Sequence, residues 1–592
     1  MALLKGTHGT RLLQSCGRIL ARLIMVYFKR DEFAGIAPGV SSRLLGEQFG
    51  QIAENIDFES RALVATTTDS DTHTLQAANR NSIFYYDSTN WLEWDEDGVF
   101  VVPGPVPDDE DNRLYWTGAG TFPQMGTYDS IVSGTSGYPY ESYRLGVPEP
   151  SAAPTTSVSG TPNAELTPND VSYVYTFVTA LGEEGPPSLP STVFEMTNGQ
   201  TATINMPASA LPSGNYNFGN GAKKRIYRSN TGSTNTQFQF VKEVTIATTS
   251  TTDNASAENL GEVLPSTTWI GPPNDDTSLY PDGPLQGLIP LAMGTMAGFT
   301  GKRFCLSEPF LPHAWPITYR ITVENDIVAI ASTSGGAVAL TDGQPYFITG
   351  TDPSAMTAVK VELAQACVNA KSVVDMGSYV LYAGPDGLCA VENSQGRVVT
   401  RNQVSAKQWN TDFNPTTIRA FKHEGTYVAF HAGGGWVYDP RRPEASLSTL
   451  TLSTDVQGGY HNPKDGQLYV IVGNKIRKYR GGTASKTLKF KSKKFVTTSP
   501  ISMGWVCVQA EEYPVTVKVW GDGTLVSHYV LSKSGDTFTQ ATTVPSGISN
   551  GTLQEPVMRM PAVIAQEWEI QVEGTNINEF CLAQSMSEVR ES

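Results

Sequence analysis

The side chains best equipped for chemistry are six cysteines (Cys16, Cys305, Cys367, Cys389, Cys507, Cys581), seven histidines, an acidic run and a lysine-rich run. Thiolates and imidazoles hold a metal, or act as nucleophile and base, when they cluster at ligand spacing. Here the cysteines sit singly and far apart, and no C-x-x-C or H-E-x-x-H occurs. No metal site and no disulfide framework are therefore expected, and most of the thiols read as small buried hydrophobes made in a reducing cytoplasm. The acidic run Asp108-Asp109-Glu110-Asp111 lacks the alternating ligands and the glycine of a calcium loop, so a solvated turn is expected there. In the lysine run (Lys486, Lys489, Lys491, Lys493, Lys494), positions 489, 491 and 493 share one face of a strand. That face would suit DNA or an acidic partner, but a solvated edge strand guarded by lysines is the plainer expectation.

Glycosidase chemistry would need paired carboxylates. The segment Ser532-Lys533-Ser534-Gly535-Asp536-Thr537-Phe538 is faintly like a sialidase aspartate-box turn, but its Asp and Gly are in the wrong order and it occurs once. No G-x-S-x-G elbow and no phosphate-binding loop is present. We nominate no catalytic, cofactor-binding or metal residue, expect no cofactor, and expect a protein that is not an enzyme. With 58 acidic against 42 basic residues, the formal charge of −16 argues against a surface that wraps nucleic acid through its phosphates. It leaves room for a lumen through which DNA slides without being gripped.

Any such function must be carried by strands. The 55 glycines and 37 prolines punctuate many short segments, and helical periodicity is almost absent after residue 66. A strand-turn-strand unit recurs at Gly377-Ser378-Tyr379-Val380-Leu381-Tyr382, Gly425-Thr426-Tyr427-Val428-Ala429-Phe430 and Gly466-Gln467-Leu468-Tyr469-Val470-Ile471. The units lie roughly 40 to 50 residues apart, the length that one propeller blade consumes. The expected fold class is all-β: a degenerate β-propeller with an inserted fibronectin type III-like sandwich and a C-terminal β-sandwich of jelly-roll type. The boundaries follow composition: 1–32 an N-terminal extension, 33–146 an arm or short helix with the first blades, and 147–273 the inserted sandwich. Residues 274–482 supply the remaining blades and 483–592 the C-terminal sandwich. The apolar run over 19–28 is broken by Arg22 and lacks a small-residue cleavage site, so neither a signal peptide nor a membrane span is expected.

Four stretches together carry a family resemblance. They are Gly35-Ile36-Ala37-Pro38, the Tyr143-Arg144-Leu145-Gly146-Val147-Pro148 lead into the inserted module, the degenerate propeller, and the terminal Leu582-Ala583-Gln584-Ser585-Met586-Ser587-Glu588-Val589. From about residue 30 onward the chain resembles the tail nozzle (tail tubular) proteins of short-tailed bacteriophages. The N-terminal extension before Met25 departs from that pattern. The resemblance implies a structural virion protein: six copies around the tail axis below a portal and adaptor ring, tail fibres docked outside, and genomic DNA passing the lumen without sequence-specific binding. It also implies synthesis in the host cytoplasm and residence in the virion tail. The alternative is a receptor- or carbohydrate-binding tail protein, whose sugar contacts would be aromatics such as Trp91, Trp94 and Trp436.

Overall fold

The computed structural model describes residues 27–591 apart from 88, 135–136, 209–210, 212, 232–234, 443–445, 453 and 545–550. The fold is all-β, with only short helices such as Tyr128–Val132, Ala406–Asp412 and Met586–Glu591. No helix among the described residues is long and apolar enough to cross a membrane. Cys16 and most of the apolar run over 19–28 lie outside the described residues.

The recurring glycines sit where hairpins need them. Gly377, Gly425 and Gly466 all have positive φ, a conformation that costs glycine little. Each lies in the turn between the first and second strands of a small antiparallel sheet, as in Arg419–His423 and Thr426–His431. Such sheets follow one another along the chain, each opening with a first strand that packs against its neighbours. The first strands are Ser82–Tyr85, Phe100–Pro103, Gln286–Pro290, Ile327–Thr333, Val374–Asp375, Arg419–His423 and Gly458–Asn462. The last of these sheets takes its outer strand from near the N-terminus. Ser70–Thr74 pairs with Lys475–Lys478, covering backbone groups that would otherwise form an open edge.

Between the sheet begun at Phe100–Pro103 and that begun at Gln286–Pro290, the chain makes an excursion into a three-sheet module. It is built from Thr155–Ser159, Thr201–Asn205 and Ser250–Asp253, from Asn169–Val171 and Phe194–Met196, and from Tyr173–Val178, Lys223–Thr231 and Thr236–Thr245. The chain passes itself at the base. A Cβ on Gly146 would lie 2.7 Å from the Gly271 backbone, so the outgoing and returning segments touch. Tyr173–Val178 reads from sequence as a half-buried strand but is buried on both faces. Tyr173, Tyr175 and Phe177 enter the module core, while Val174 is covered by Tyr227 and Leu264 on the other side.

The C-terminal part corrects the expected arm. Residues 35–65 contain no helix and do not stand apart; they are strands of the C-terminal sheets. Gly35–Ile36 runs parallel to Phe49–Glu54 and beside Ser446–Leu450. Only glycine fits at 35, where φ is +105° and a Cβ would approach the Leu447 carbonyl. Tyr27–Arg30 pairs with the final strand, Asn576–Ala583. Phe33, Ile36, Trp436, Phe490, Trp568 and Phe580 consequently share one hydrophobic core. Burying a ring such as Phe490 stabilises by about 1.5–3 kcal/mol.

The lysine-rich strand is likewise not an edge. Leu488–Ser492 lies between Phe49–Glu54 and Ala565–Gly574, hydrogen-bonded on both sides. Leu488 and Phe490 point into the core, and the alternate lysines meet carboxylates: Lys489 with Glu54 at 3.4 Å and Lys491 with Glu569 at 2.7 Å. Lys493 pairs with Glu47 and Lys494 with Glu567, both at 3.2 Å. These cations are already neutralised within the chain.

Candidate functional site

The first strands of the small sheets surround a cavity. One part, about 470 Å³, is lined by apolar groups including Ile83, Val101, Ile289, Ala331, Ala420 and Phe421. A second part, about 920 Å³, shares Val101, Ser332, Val373, Ala420, Phe421 and His461 with the first as common lining. Glycine lets the backbone pack closely beside the smaller part. A Cβ on Gly458 would lie 2.0 Å from the Asn81 carbonyl, and one on Gly459 would meet the Phe421 ring at 2.9 Å.

The polar groups at the two ends are mutually occupied. At the smaller end Asp97 accepts a 2.6 Å hydrogen bond from Arg419 Nη1 and is paired with Lys371. Burial opposes ionisation of Asp97, but these two cations outweigh it and hold the carboxyl below its usual range. At the larger end Ser332 donates to Asp375 at 3.0 Å, and Lys422 donates to the Met376 carbonyl at 3.3 Å. Burial, aided by Lys422, lowers the pKa of His461 and keeps its ring neutral near pH 7. The acidic run forms the rim here. Arg113 holds Asp109 through Nε at 2.8 Å and its backbone N–H at 3.0 Å, closing a turn. Among the described residues, no cluster of His, Cys, Asp and Glu could hold a metal ion. A cavity of this size suits a small molecule, and nothing as thick as a nucleic-acid duplex could pass it.

The remaining sequence candidates are structural. Ser534 and Thr537 face each other across a β-hairpin, so the aspartate-box-like segment is a tight turn with Gly535 at positive φ. Trp91, Trp94 and Trp436 are buried at 4%, 6% and 1% exposure and present no face to a ligand. Burial pushes the thiols of Cys305, Cys367 and Cys389 up to about 12, which leaves them protonated and unreactive. Cys507 and Cys581 face each other across paired strands. The hydrogen bond between the two thiols lowers the pKa of Cys581 and raises that of Cys507. This pair is not legible in the sequence, because the two cysteines stand 74 positions apart and no spacing rule joins them.

No protein-family model matches the chain, and no curated protein matches it. Solved structures with some likeness include PorZ, a surface component of the type-IX secretion system of Porphyromonas gingivalis, at 11% identity and TM-score 0.28. That match covers 79% of this chain and 46% of PorZ. The extracellular domain of a hybrid two-component system from B. thetaiotaomicron gives 7% identity and TM-score 0.20, covering 82% of this chain and 47% of that one. Apo AztD from Citrobacter koseri gives 8% and 0.23, covering 67% of this chain and all of AztD (100%). This chain thus spans about half the length of the first two, 46% and 47%. Likeness at this level carries no argument about function.

Proposed function

We propose that this chain is a structural virion protein that forms the nozzle ring of a short-tailed phage, with six copies conducting DNA along their common axis. In this reading the succession of small sheets is a β-propeller, the three-sheet module is a fibronectin type III-like sandwich, and the C-terminal sheets form a jelly-roll-like sandwich. The observation that carries the proposal is the threading of one chain through these parts. N-terminal strands built around Gly35 lock the C-terminal sheets, the small sheets follow, and the module leaves and returns at Gly146 and Gly271.

The electrostatics support a conduit rather than a DNA-binding surface. The chain carries an acidic excess, and Lys489, Lys491, Lys493 and Lys494 are paired with carboxylates rather than free to grip phosphate. Because the cavity inside one subunit is too small for a duplex, the DNA path in this account runs between subunits, and the small sheets serve as its wall. Immunogold labelling of virions with antibody raised against the inserted module tests the assignment. Label confined to the tail tip is the expected result; label on the capsid, or on no particle, would contradict it.

A further inference from the structure

The thiol pair in the C-terminal sheets plays no part in the proposed ring. Along Trp505–Ala510 and Asn576–Ala583 the side chains alternate between two faces: Val506, Val508, Phe580 and Leu582 enter the main core, while Cys507 and Cys581 stand on the opposite face. The two cysteines are direct cross-strand partners, and Lys29 and Val557 extend their row on either side. Residues opposed in an antiparallel pair have Cα atoms about 4.5–5.5 Å apart, inside the range of about 4.4–6.8 Å that a disulfide spans. Both thiols are buried, at 5% and 4% exposure, but their cover is thin. It consists of Tyr27, Trp505, Met586 and Val589, each only partly buried. Met586 and Val589 belong to the short helix Met586–Glu591. Glu588 holds that helix by accepting from the backbone N–H groups of Gln584 and Ser585 at 3.0 and 3.1 Å, and Arg590 adds an exposed ion pair with Glu555 at 3.6 Å.

The two thiols differ in character. The Cys581 sulfur accepts from the Cys507 thiol, from the Cys507 backbone N–H and from the Tyr27 hydroxyl, and these bonds outweigh burial and hold its pKa below the ordinary thiol value. The same thiol–thiol bond, and then burial, raises that of Cys507. Cys581 is therefore the readier thiolate and the attacking group. We infer that Cys507 and Cys581 are a modification site, closing to a reversible cross-strand disulfide by exchange with a low-molecular-weight disulfide when the helix Met586–Glu591 lifts. The Cys581 thiolate attacks one sulfur of the small disulfide, forms a mixed disulfide and expels a small thiolate, which takes up the proton that Cys581 released. Cys507 then gives its proton to solvent, attacks the Cys581 sulfur and expels the second small thiolate, which is protonated in turn. Two protein thiols are oxidised to one disulfide, and one small disulfide is reduced to two thiols. The bond joins positions 74 apart in the chain, so it staples the last strand to its sheet in oxidising surroundings and stays open in reducing ones.

Peptide mapping by mass spectrometry tests this on the full chain exposed to oxidised glutathione, with remaining thiols blocked by N-ethylmaleimide in denaturant. The expected product is a peptide pair joined through Cys507 and Cys581, lighter by two hydrogens and released by dithiothreitol. Cys305, Cys367 and Cys389 should be recovered blocked, as free thiols. Truncation after Ser585 removes the cover and should speed the joining about tenfold, and Val589→Ser, which loosens the cover, should speed it several-fold. If the truncated chain fails to fold, Val589→Ser carries the comparison alone. In Cys507→Ser glutathione should be trapped on Cys581, whereas in Cys581→Ser the Cys507 thiol should stay free. Free thiols at both positions in parent and variants, glutathione retained there with no link, or links scrambled to other cysteines would overturn the assignment. Equal rates in the parent and the cover variants would overturn the role given to the helix.

Discussion

The three-sheet module of residues 155–253 and the C-terminal sheets both bury aromatic and branched side chains, yet they are joined to the rest of the molecule in opposite ways. The module is reached by two segments that touch at Gly146 and Gly271, and its base is held by Arg113 with Glu183 at 3.4 Å, by Arg144 with Asp275 and by Leu181 against Tyr115, Leu145 and Trp315. The C-terminal sheets are continuous with a neighbouring small sheet through Ser446–Leu450, are laced by N-terminal strands, and share a single apolar core with both. A narrow, two-segment joint lets one part be removed or replaced without unfolding the other. A shared core and shared strands bind regions that are far apart in sequence into one cooperative unit. In the ring proposed above, the second joint would resist tearing and the first would let the module vary.

The strongest way to break this comparison is deletion. Removing residues 27–54 takes away Tyr27–Arg30, Gly35–Ile36 and Phe49–Glu54, which leaves Leu488–Ser492 and Asn576–Ala583 each short of a partner strand. Loss of the folded C-terminal sheets is expected, seen as rapid proteolysis after residue 483. Replacing 147–271 by a short Gly-Ser bridge should leave the remaining transition cooperative. Equal tolerance of both deletions would remove the distinction.

A smaller cut falls inside the module. Arg228 and Asp253 form an ion pair at 2.8 Å with 4% and 1% side-chain exposure, and Tyr173 also donates to Asp253 at 2.7 Å. Arg228→Ala leaves a buried carboxylate without its cation, at a cost of about 3–5 kcal/mol. Calorimetry should show the module's melting fall while the transition of the C-terminal sheets stays in place. A uniform downward shift of both would mean that they are one cooperative unit after all.

Acid should act on the other side of the comparison. Burial first, then the neighbouring Arg480, His461 and Lys478, pushes the pKa of His423 down to about 4 despite Asp57 nearby. Between that value and the ordinary value of about 6.5 the unfolded chain binds more protons than the folded one, so stability is full above about pH 6.5 and declines as pH falls toward 4. The contribution is at most about 3 kcal/mol. Denaturant midpoints measured across this window should fall with pH in the parent, and His423→Gln should flatten the slope. The least effect is expected from the exposed ends of the lysine face. Lys489→Gln breaks a partly exposed pair with Glu54 and should cost under about 1 kcal/mol, detectable only at low salt.

Which of these features the sequence reveals follows from the range of the interactions. The all-β class, the hairpins at Gly377, Gly425 and Gly466, and the alternation of Val515, Val517 and Val519 are local patterns and are legible in order along the chain. The partners of residues 27–54 lie some hundreds of positions away, and nothing in a period-two pattern names its neighbour, so those strands read as a free arm. The lysine strand reads as an edge for the same reason: its acidic partners come from residues 47–54 and 567–569. The cavity that residues 57–67 share with His423, Glu424, Tyr479 and Arg480 is less legible still. Asp57, Thr66, His423 and Arg480 are individually ordinary, and only the fold brings them to the wall of one cavity.

The central claim, that copies of this chain assemble into a ring with the DNA path between them, is tested most directly by native mass spectrometry of the purified protein, alone and with a portal-adaptor complex. The account predicts a hexamer, or a monomer that adds as six copies to the portal assembly. A monomer or trimer that ignores the portal would contradict it.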